Sequence, residues 1–431
     1  MSHFVIRGGR PLNGLHRVPG NKNAALPMIA AATLADGPVT LRSLPLIRDV
    51  RVMLALVESL GATVELDEAA HRVRIDPRGI SPRALDPGLC RQVRTSFLFA
   101  GPLTARFGEA EIASPGGDAI GQRRLDTHID GFRALGMDVS QRLPYRFRRE
   151  RRLRGAEIVL DEASVTATEN ILMAAVLAEG TTTIYNAACE PHVANLAAML
   201  RSMGADIEGA GTNFLTVRGV ESLRGTEAEI LPDAIEAASF LAAGAATGGS
   251  IELDRIGPFD ARVVARPFAR LGVAWQQRPD GSLRLPPEQS LRVADDVGGA
   301  IPKIEDGIWP STPSDVMSAL IVLATQARGT VLFFEKLFES RLYFIDHLLG
   351  MGARIVQCDP HRIVVQGPCR LHATRVSSPD IRAGMALIIA ALCAEGETVI
   401  HNAESIDRGY EAVDEALRAL GADIERADDA R

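Results

Sequence analysis

The sequence predicts an α/β protein built from six repeated units, and two periodic features indicate this fold. The first is a short motif at the end of a helical segment, followed each time by a short strand. The six copies are Leu60-Gly61-Ala62, Leu135-Gly136-Met137, Met203-Gly204-Ala205, Leu271-Gly272-Val273, Met351-Gly352-Ala353 and Leu420-Gly421-Ala422. Glycine fits a helix C-cap because it adopts the left-handed conformation without a Cβ clash.

The second feature is a series of six Ala-rich apolar segments, each leading into a β-branched strand. They end near Gly37, Gly108, Gly180, Gly249, Gly329 and Gly396. Helices that are apolar nearly all round must be buried on every side. The other helix of each unit, such as residues 51–60, is amphipathic and belongs nearer the solvent. Six such units divide into two sets of three, which suggests two lobes with buried central helices and a cleft between them.

Composition excludes several classes of protein. The net charge of −7 and the lack of long like-charged runs argue against nucleic acid as the main partner. The basic segment 146–154 is interpreted as a surface turn, with a binding patch as the less favoured alternative. Five cysteines without a CxxC pair indicate a reducing compartment, no disulfide framework and no zinc site. The start has no signal-peptide pattern and the apolar stretches are too short to span a bilayer. We therefore expect a cytoplasmic protein without a membrane partner.

Polar clusters precede all six buried helices. They are Lys22-Asn23, Arg94-Thr95, Thr168-Glu169-Asn170, residues 233–236, Ser314-Asp315 and Asp380-Ile381-Arg382. Acidic and hydroxyl side chains there have an ordinary capping explanation. A cation beside a helix N-terminus is unfavourable unless an anion shares the site. Lys22, Arg94 and Arg382 therefore predict an anionic ligand.

Two further segments remain ambiguous on their residues alone. The glycine-rich loop 114–123 contains Asp118 and Arg123 and is either a simple turn or a functional loop. It matches neither a P-loop nor a dinucleotide fingerprint. Arg408, in the segment 406–411, fits either a surface position or a site.

Together these segments resemble the enolpyruvyl transferase family, in particular its members that act on UDP-N-acetylglucosamine. The segments are Gly20 to Pro27, Pro115 to Gly121 with Arg123, Pro313-Ser-Asp315, Asp380 to Ala383 and Ile406 to Glu411. They occur in the family's order between Phe4 and Glu425. The resemblance implies a two-lobed inside-out α/β barrel, with residues 22–232 as one lobe and residues 1–21 and 233–431 as the other.

The resemblance also implies a reaction: transfer of the enolpyruvyl group from phosphoenolpyruvate to a sugar 3-hydroxyl, through a tetrahedral intermediate, with release of phosphate. This is the first committed step of peptidoglycan precursor synthesis. The implied partners are phosphoenolpyruvate and a UDP-sugar acceptor. No metal or organic cofactor is implied.

Site residues follow by motif. Lys22, Arg123 and Arg408 would hold the phosphate and carboxylate of phosphoenolpyruvate, since guanidinium groups bind both in a bidentate manner. Arg94 and Arg382 resemble supporting cations. The acceptor side would comprise Asn23, Arg94, Ser164 and Asp315. Asp315 is the candidate general base, and the catalytic set would be Lys22, Asp118, Asp315 and Arg408.

The sequence departs from the family pattern at several positions. Asp118 stands where most members have cysteine. On the acceptor side the departures are Arg124, Thr166, Ala234 and Ser340. They motivate one alternative, enolpyruvyl transfer to a different nucleotide or sugar. A second alternative, a non-catalytic ligand-binding paralogue, is disfavoured because the charged residues of the site are retained together. The shikimate-pathway relative fits worse, since its usual Asn-Ala-Gly-Thr segment is absent at residues 93–97.

The aspartate at position 118 leads to a prediction about fosfomycin, an epoxide that alkylates the loop cysteine of the usual family members. A carboxylate is a much weaker nucleophile toward an epoxide than a thiolate. We expect mass spectrometry to find no adduct at Asp118 after incubation with fosfomycin and acceptor. A stoichiometric adduct would refute the predicted resistance.

Two substitutions test the role of this side chain. Asp118→Cys is expected to be active and newly sensitive to fosfomycin. Asp118→Asn is expected to lose nearly all turnover while still binding phosphoenolpyruvate, if the carboxyl group donates a proton during transfer. Normal turnover of Asp118→Asn would make Asp118 an ordinary loop residue.

Overall fold

Helices and short strands alternate along the whole chain in the computed structural model, which describes residues 2–81, 83–117, 120–140 and 142–428. The described residues form two units, each with a hydrophobic core of its own. The terminal unit contains residues 2–18, 120–122 and 232–428. The middle unit contains residues 19–81, 83–117, 123–140 and 142–231.

Thirteen α-helices lie within the described residues. They are α1 (Lys22–Ala32), α2 (Arg48–Ser59), α3 (Pro87–Cys90), α4 (Ala100–Phe107), α5 (Asp126–Ala134), α6 (Val165–Ala175), α7 (Pro191–Ser202), α8 (Ala234–Ala246), α9 (Pro258–Arg270), α10 (Ser314–Gln326), α11 (Ile345–Gly350), α12 (Ile381–Cys393) and α13 (Val413–Ala419). Short 3-10 helices cover Pro77–Gly79, Arg94–Phe99 and Ala403–Arg408. None of these helices combines the length and apolar character that crossing a membrane requires.

Six of the helices are buried along nearly their whole length, as the apolar segments predict. In the terminal unit they are α8, α10 and α12, which pack against one another. In α12 every residue from Ile381 to Leu392 is buried. In the middle unit the buried helices are α1, α6 and α4, the last preceded directly by a 3-10 turn from Arg94. The amphipathic helices, such as α2, bury one face only.

Twenty-three strands complete the repeats in the described part of the chain. They are β1 (Ser2–Arg7), β2 (Asn13–His16), β3 (Val39–Arg42), β4 (Thr63–Asp67), β5 (Arg72–Asp76), β6 (Glu109–Ile112), β7 (Asp138–Ser140), β8 (Tyr145–Arg148), β9 (Glu157–Val159), β10 (Thr181–Tyr185), β11 (Asp206–Glu208), β12 (Phe214–Arg218), β13 (Thr226–Glu229), β14 (Ser250–Leu253), β15 (Gln276–Gln277), β16 (Leu283–Leu285), β17 (Lys303–Glu305), β18 (Gly329–Phe334), β19 (Ile355–Gln357), β20 (Arg362–Gly367), β21 (Arg375–Ser377), β22 (Glu397–His401) and β23 (Asp423–Asp428).

The strands form six small sheets with one shared topology. Their orders are β13-β3-β5-β4, β6-β8-β7 and β11-β12-β10-β9 in the middle unit, and β15-β16-β14-β2, β17-β18-β20-β19 and β21-β22-β1-β23 in the terminal unit. The strand after each buried helix pairs antiparallel with its neighbour on one side. On the other side it pairs parallel, although the second repeat has only the bridge between Ala84 and Glu111 there.

The last sheet needs both ends of the chain. Strand β1 lies between β22 and β23, with Phe4 opposite both Ile400 and Arg426. Phe4 is fully buried in the core of the terminal unit. The sixth repeat is therefore completed by the first strand of the chain.

The repeated glycines cap six helices. All six have a left-handed backbone, with φ from 76° at Gly272 to 110° at Gly204. After α2, Gly61 N–H donates to Glu58 O at 2.9 Å and Ala62 N–H donates to Val57 O at 3.3 Å. The other five helix ends repeat this Schellman pattern. The predicted C-caps are confirmed.

Two arginines of the basic segment 146–154, Arg149 and Arg152, have a structural function. Arg149 Nε donates to Thr104 O near the end of α4 at 2.9 Å. Arg152 Nε donates to Leu177 O just beyond α6, also at 2.9 Å. Cations beside helix C-termini satisfy free carbonyls and complement the helix dipole. The segment therefore stabilises the ends of two buried helices.

We predict that Gly204→Ala destabilises the middle unit by about 1–2 kcal/mol, the cost of a left-handed alanine. A Cβ at this position would meet nothing within 4 Å, so backbone strain is the expected cause. The measurement is the midpoint of urea unfolding. Gly204→Asn is the matched control, because asparagine tolerates this conformation better. Equal midpoints for both variants would contradict the explanation.

Candidate functional site

In the terminal unit, a carboxylate is held by two arginines at the start of a buried helix. Asp315 lies in the first turn of α10. Arg341 Nη2 donates to its Oδ1 at 2.6 Å, and Arg382 Nε donates to its Oδ2 at 3.0 Å. The arginine side chains are 4% and 5% exposed, whereas that of Asp315 is 28% exposed. The acid is therefore ionised, fixed in orientation and reachable from one side.

Arg382 can lie at a helix start because Asp380 caps that helix. Asp380 Oδ1 accepts from the backbone N–H groups of Arg382 and Ala383 at 2.8 and 2.9 Å. The guanidinium lies over the Tyr410 ring at 5.3 Å. Burial alone would lower the pKa of Arg382, but the charge of Asp315 outweighs it and the pKa is raised. The buried Nη1 has no acceptor among the described residues.

A second buried pair of the terminal unit is uncharged. His16 Nε2 lies 3.0 Å from Glu236 Oε1, and the imidazole stacks on Phe240 at 3.6 Å. Burial lowers the pKa of His16 to about 4 and raises the pKa of Glu236 well above its ordinary value. The contact is thus a hydrogen bond between two neutral groups, although its distance would also suit an ion pair.

In the middle unit, Lys22 is the first residue of α1. Its Nζ lies 2.8 Å from Asp49 Oδ2, and the two side chains are 10% and 3% exposed. Asn21 caps the helix by accepting from Ala24 N at 2.9 Å. Asn23 is half-buried in the same turn. The lysine is therefore held in place by a buried carboxylate at a helix N-terminus.

Arg94 and Arg123 lie close together in the same unit. A guanidinium N–H of Arg94 donates to the carbonyl of Arg123. Both side chains crowd Gly117, where a Cβ would lie 2.7 Å from Arg123 Nη2 and 2.9 Å from Arg94 Cβ. Burial, and then the charge of Arg123, lowers the pKa of Arg94 to about 10. Two neighbouring cations repel each other, and an anion bound nearby would relieve that repulsion.

A buried histidine connects this pair to the start of α6. Asn170 Nδ2 lies 3.3 Å from His128 Nδ1, and His128 Nε2 lies 3.2 Å from Thr166 Oγ1. Because the amide nitrogen can only donate, Nδ1 accepts and Nε2–H donates to the threonine. Burial, and then the charge of Arg94, lowers the pKa of His128 to about 3. Ser164 caps α6 by accepting from Ala167 N at 3.4 Å.

Thr166, one of the four positions that depart from the family pattern, contacts His128 as described above, and the contacts of the other three are as follows. Arg124 is exposed and lies 3.1 Å from Asp126 and 3.7 Å from Asp161. Ala234 is the first residue of α8 and is buried. The backbone N–H of Ser340 donates to Ile120 O at 3.1 Å. Arg124 is thus paired with two acidic side chains at the surface.

The structure brings together some of the residues singled out in the sequence. Asp315 contacts Arg382 in the terminal unit. In the middle unit Arg94 contacts Arg123, and Lys22 and Asn23 share the first turn of α1. Arg408 is half-buried at the end of the 3-10 helix Ala403–Arg408. Asp118 lies outside the described residues. The described part of the chain contains no group of three or more His, Cys, Asp or Glu side chains arranged to hold a metal ion.

Several residues of this environment escaped the sequence analysis. They are Asp49, His128, Asp306, Glu335 and Arg341. They lie in amphipathic helices or after strands, where the sequence carries no pattern like the polar clusters at the starts of the buried helices. For Glu335 a signal existed, because an acid directly follows the apolar strand β18. Buried acids at the end of apolar strands are uncommon unless they have partners.

Comparisons with known proteins cover the whole chain. A family model described as EPSP synthase (3-phosphoshikimate 1-carboxyvinyltransferase) matches residues 6–428. A UDP-N-acetylglucosamine 1-carboxyvinyltransferase of Treponema denticola is 48% identical over 99% of both chains. One of Bradyrhizobium diazoefficiens is 48% identical over 98% of this chain and 97% of its own.

Solved structures share the fold. The enolpyruvyl transferase NikO from Streptomyces tendae matches with a TM-score of 0.86 and 25% identity, over 99% of this chain and 98% of its own. An EPSP synthase from Acinetobacter baumannii matches with a TM-score of 0.78 and 19% identity, over 99% of this chain and 100% of its own. The predicted fold class is confirmed.

We predict that Asp49→Ala destabilises the middle unit by about 3 kcal/mol, because it leaves the buried Lys22 ammonium without this carboxylate. The measurement is the unfolding midpoint in urea. The double variant Lys22→Met with Asp49→Leu should recover most of the loss. Glu65→Ala is the control, since its pair with Arg74 is exposed and should change stability by less than about 1 kcal/mol. Equal effects of Asp49→Ala and Glu65→Ala would contradict the prediction.

Proposed function

Because the chain belongs to the family of UDP-N-acetylglucosamine 1-carboxyvinyltransferases, we propose that it transfers the enolpyruvyl group of phosphoenolpyruvate to the 3-hydroxyl of UDP-N-acetylglucosamine. Inorganic phosphate is the second product. The reaction is the first committed step of peptidoglycan precursor synthesis, and we place it in the cytoplasm. The full-length similarity supports this family membership.

The observation that carries the proposal is the Asp315 carboxylate between Arg341 and Arg382. A general base must be ionised, accessible and fixed in direction before the substrate arrives. Two charge-assisted hydrogen bonds keep this carboxylate ionised and oriented. Its partial exposure leaves room for a sugar hydroxyl. Asp315 is thus the proposed acceptor of the 3-hydroxyl proton, with Asn23 and Ser164 assigned to the acceptor.

Phosphoenolpyruvate carries a carboxylate and a phosphate on three carbons, so its site needs several cations. We assign its two anionic groups to Lys22, Arg123 and Arg408, with Arg94 and Arg382 as supporting cations. The proximity of Arg94 and Arg123 favours this assignment, because a bound anion relieves their repulsion. The free Nη1 of Arg382 is a further donor for an anion.

The proposed chemistry runs through addition and elimination. The sugar oxygen attacks C2 of phosphoenolpyruvate as Asp315 takes the hydroxyl proton, and an acid delivers a proton to C3. We assign the acid to Asp118. In the tetrahedral intermediate C2 carries the sugar oxygen and the phosphate oxygen. The Asp118 carboxylate then takes a proton back from C3, the double bond re-forms as the C2–O bond to phosphate breaks, and the phosphate leaves with the proton held by Asp315.

The proposal retains the two lobes expected from the sequence, residues 22–232 and residues 1–21 with 233–431. The two structural units begin and end close to these bounds, but residues 120–122 belong to the terminal unit. Asn23, Lys22, Arg94, Arg123 and Ser164 belong to the middle unit, and Asp315, Arg382 and Arg408 belong to the terminal unit.

A second candidate function is enolpyruvyl transfer to a different nucleotide or sugar acceptor. It is favoured by the departures at Arg124, Thr166, Ala234 and Ser340, all on the acceptor side. Phosphate release from phosphoenolpyruvate with a panel of acceptors separates the two functions. A preference for UDP-N-acetylglucosamine supports the first, and a preference for another acceptor supports the second.

We predict that Arg408→Ala lowers phosphate release by at least about tenfold, because a lost charged hydrogen bond is worth roughly 1.5–3 kcal/mol. Phosphate release is followed at saturating UDP-N-acetylglucosamine. The matched control is Arg370→Ala in the same unit, where the arginine side chain is 76% exposed and pairs with Glu395. Unchanged kinetics of Arg408→Ala would remove Arg408 from the site.

A further inference from the structure

Two buried carboxyl groups of the terminal unit are connected to Asp315 through Ser314 and Arg341. Asp306 follows β17 directly and Glu335 follows β18 directly. Because these strands pair in parallel, with Glu305 opposite Phe334, the two acids emerge side by side. Both are fully buried. Two ionised carboxylates that are adjacent and shielded from solvent would repel each other strongly, so one of the two must hold a proton.

The hydrogen-bond donors around the pair show which acid holds it. Asp306 accepts from the backbone N–H of Lys336 at 2.5 Å and from that of Leu337 at 3.4 Å. Glu335 Oε1 accepts from Ser314 Oγ at 2.8 Å. Glu335 Oε2 meets no donor among the described residues, and the neighbouring Asp306 raises the pKa of Glu335 after burial does. The proton therefore belongs on Glu335 Oε2, which donates to Asp306.

A chain of hydrogen bonds connects this pair to Asp315, the candidate base, and each bond in the chain has one donor and one acceptor. Ser314 Oγ gives its proton to Glu335 and accepts from Arg341 Nε at 3.2 Å. Arg341 Nη2 then donates to Asp315 Oδ1 at 2.6 Å. Ser314 and Arg341 are both buried. One protonated acid thus fixes the orientation of the serine, the guanidinium and the base.

We propose that Glu335 is a positioning residue, held as a neutral acid by Asp306, which orients Arg341 against Asp315 through the Ser314 hydroxyl. The role of Asp315 in this statement rests on the function proposed above. The protonation of Glu335 rests on burial and hydrogen bonding alone.

The charged surroundings of Glu335 support the neutral form. Burial, and then the hydrogen bond and charge of Asp306, raises the pKa of Glu335 to about 9, while Arg341 opposes the shift. Other ionisable groups near it are His361, whose Nδ1 lies 2.7 Å from Glu335 O, and Lys336, which pairs with Glu305 at 3.0 Å. Above this pKa a second buried negative charge would draw Arg341 away from Asp315.

This shift has a defined sign for stability. The pKa of Glu335 in the folded protein lies above that of the unfolded chain, near its ordinary 4.5. Its contribution is therefore complete below about pH 4.5 and is lost progressively as the pH rises toward 9. A glutamine carries no such dependence. It accepts from Ser314 through its oxygen and donates to Asp306 through its nitrogen, as the protonated acid does.

The experiment compares Glu335→Gln and Glu335→Ala with the wild-type protein. The melting temperature is measured between pH 5 and pH 9. If Glu335 is neutral in the folded protein, the melting temperature of Glu335→Gln rises relative to wild type as the pH increases. A difference that stays constant or falls with pH would overturn the proposed protonation. This measurement needs no turnover, so it decides the point even if the proposed reaction is wrong.

The positioning role is tested by phosphate release. Glu335→Ala and Ser314→Ala should each lower kcat by about tenfold or more with little change in KM for phosphoenolpyruvate. Glu335→Gln should restore most of kcat and remove the fall in activity near pH 9. A normal kcat for Ser314→Ala, or a Glu335→Gln variant as poor as Glu335→Ala, would overturn the role.

Discussion

The structure depends on the burial of six apolar helices on every side. A helix body in such an environment cannot carry charge, but its first turn exposes N–H groups that must be satisfied. Apart from Arg106 in the last turn of α4, the charged residues of the buried helices therefore lie near their starts, as at Lys22 in α1 and Arg382 in α12. The repeat thus concentrates polar chemistry at one end of each central helix.

The charged side chains are arranged differently in the two units. Around Asp315 the charged side chains contact one another directly, since Arg341 and Arg382 both donate to this one acid. Around Gly117 two cations are neighbours, because Arg94 donates to the carbonyl of Arg123 and both side chains crowd the glycine. The first arrangement suits a proton acceptor of fixed direction. The second suits the binding of an anionic ligand, which would relieve the repulsion between the two cations.

The sequence predicted the features that a local pattern can carry. The glycine caps and the buried helices follow from composition and period, and both are confirmed. Contacts between distant segments had no such pattern. Strand β1 joins β22 almost at the opposite end of the chain, and Arg341 reaches Asp315 from a loop. Asp49 resembled an ordinary acid in the first turn of an amphipathic helix, so its buried pair with Lys22 was not foreseen.

The threonine at position 166 links the start of α6 to the buried His128. Its hydroxyl accepts from His128, and the pKa of that histidine is lowered by burial and by Arg94. A glycine at position 166 would provide no acceptor, and His128 Nε2–H would lose this partner. A buried N–H without a partner is costly. The departure at Thr166 therefore bears on His128 and, through it, on Arg94, the cation proposed to support phosphoenolpyruvate binding.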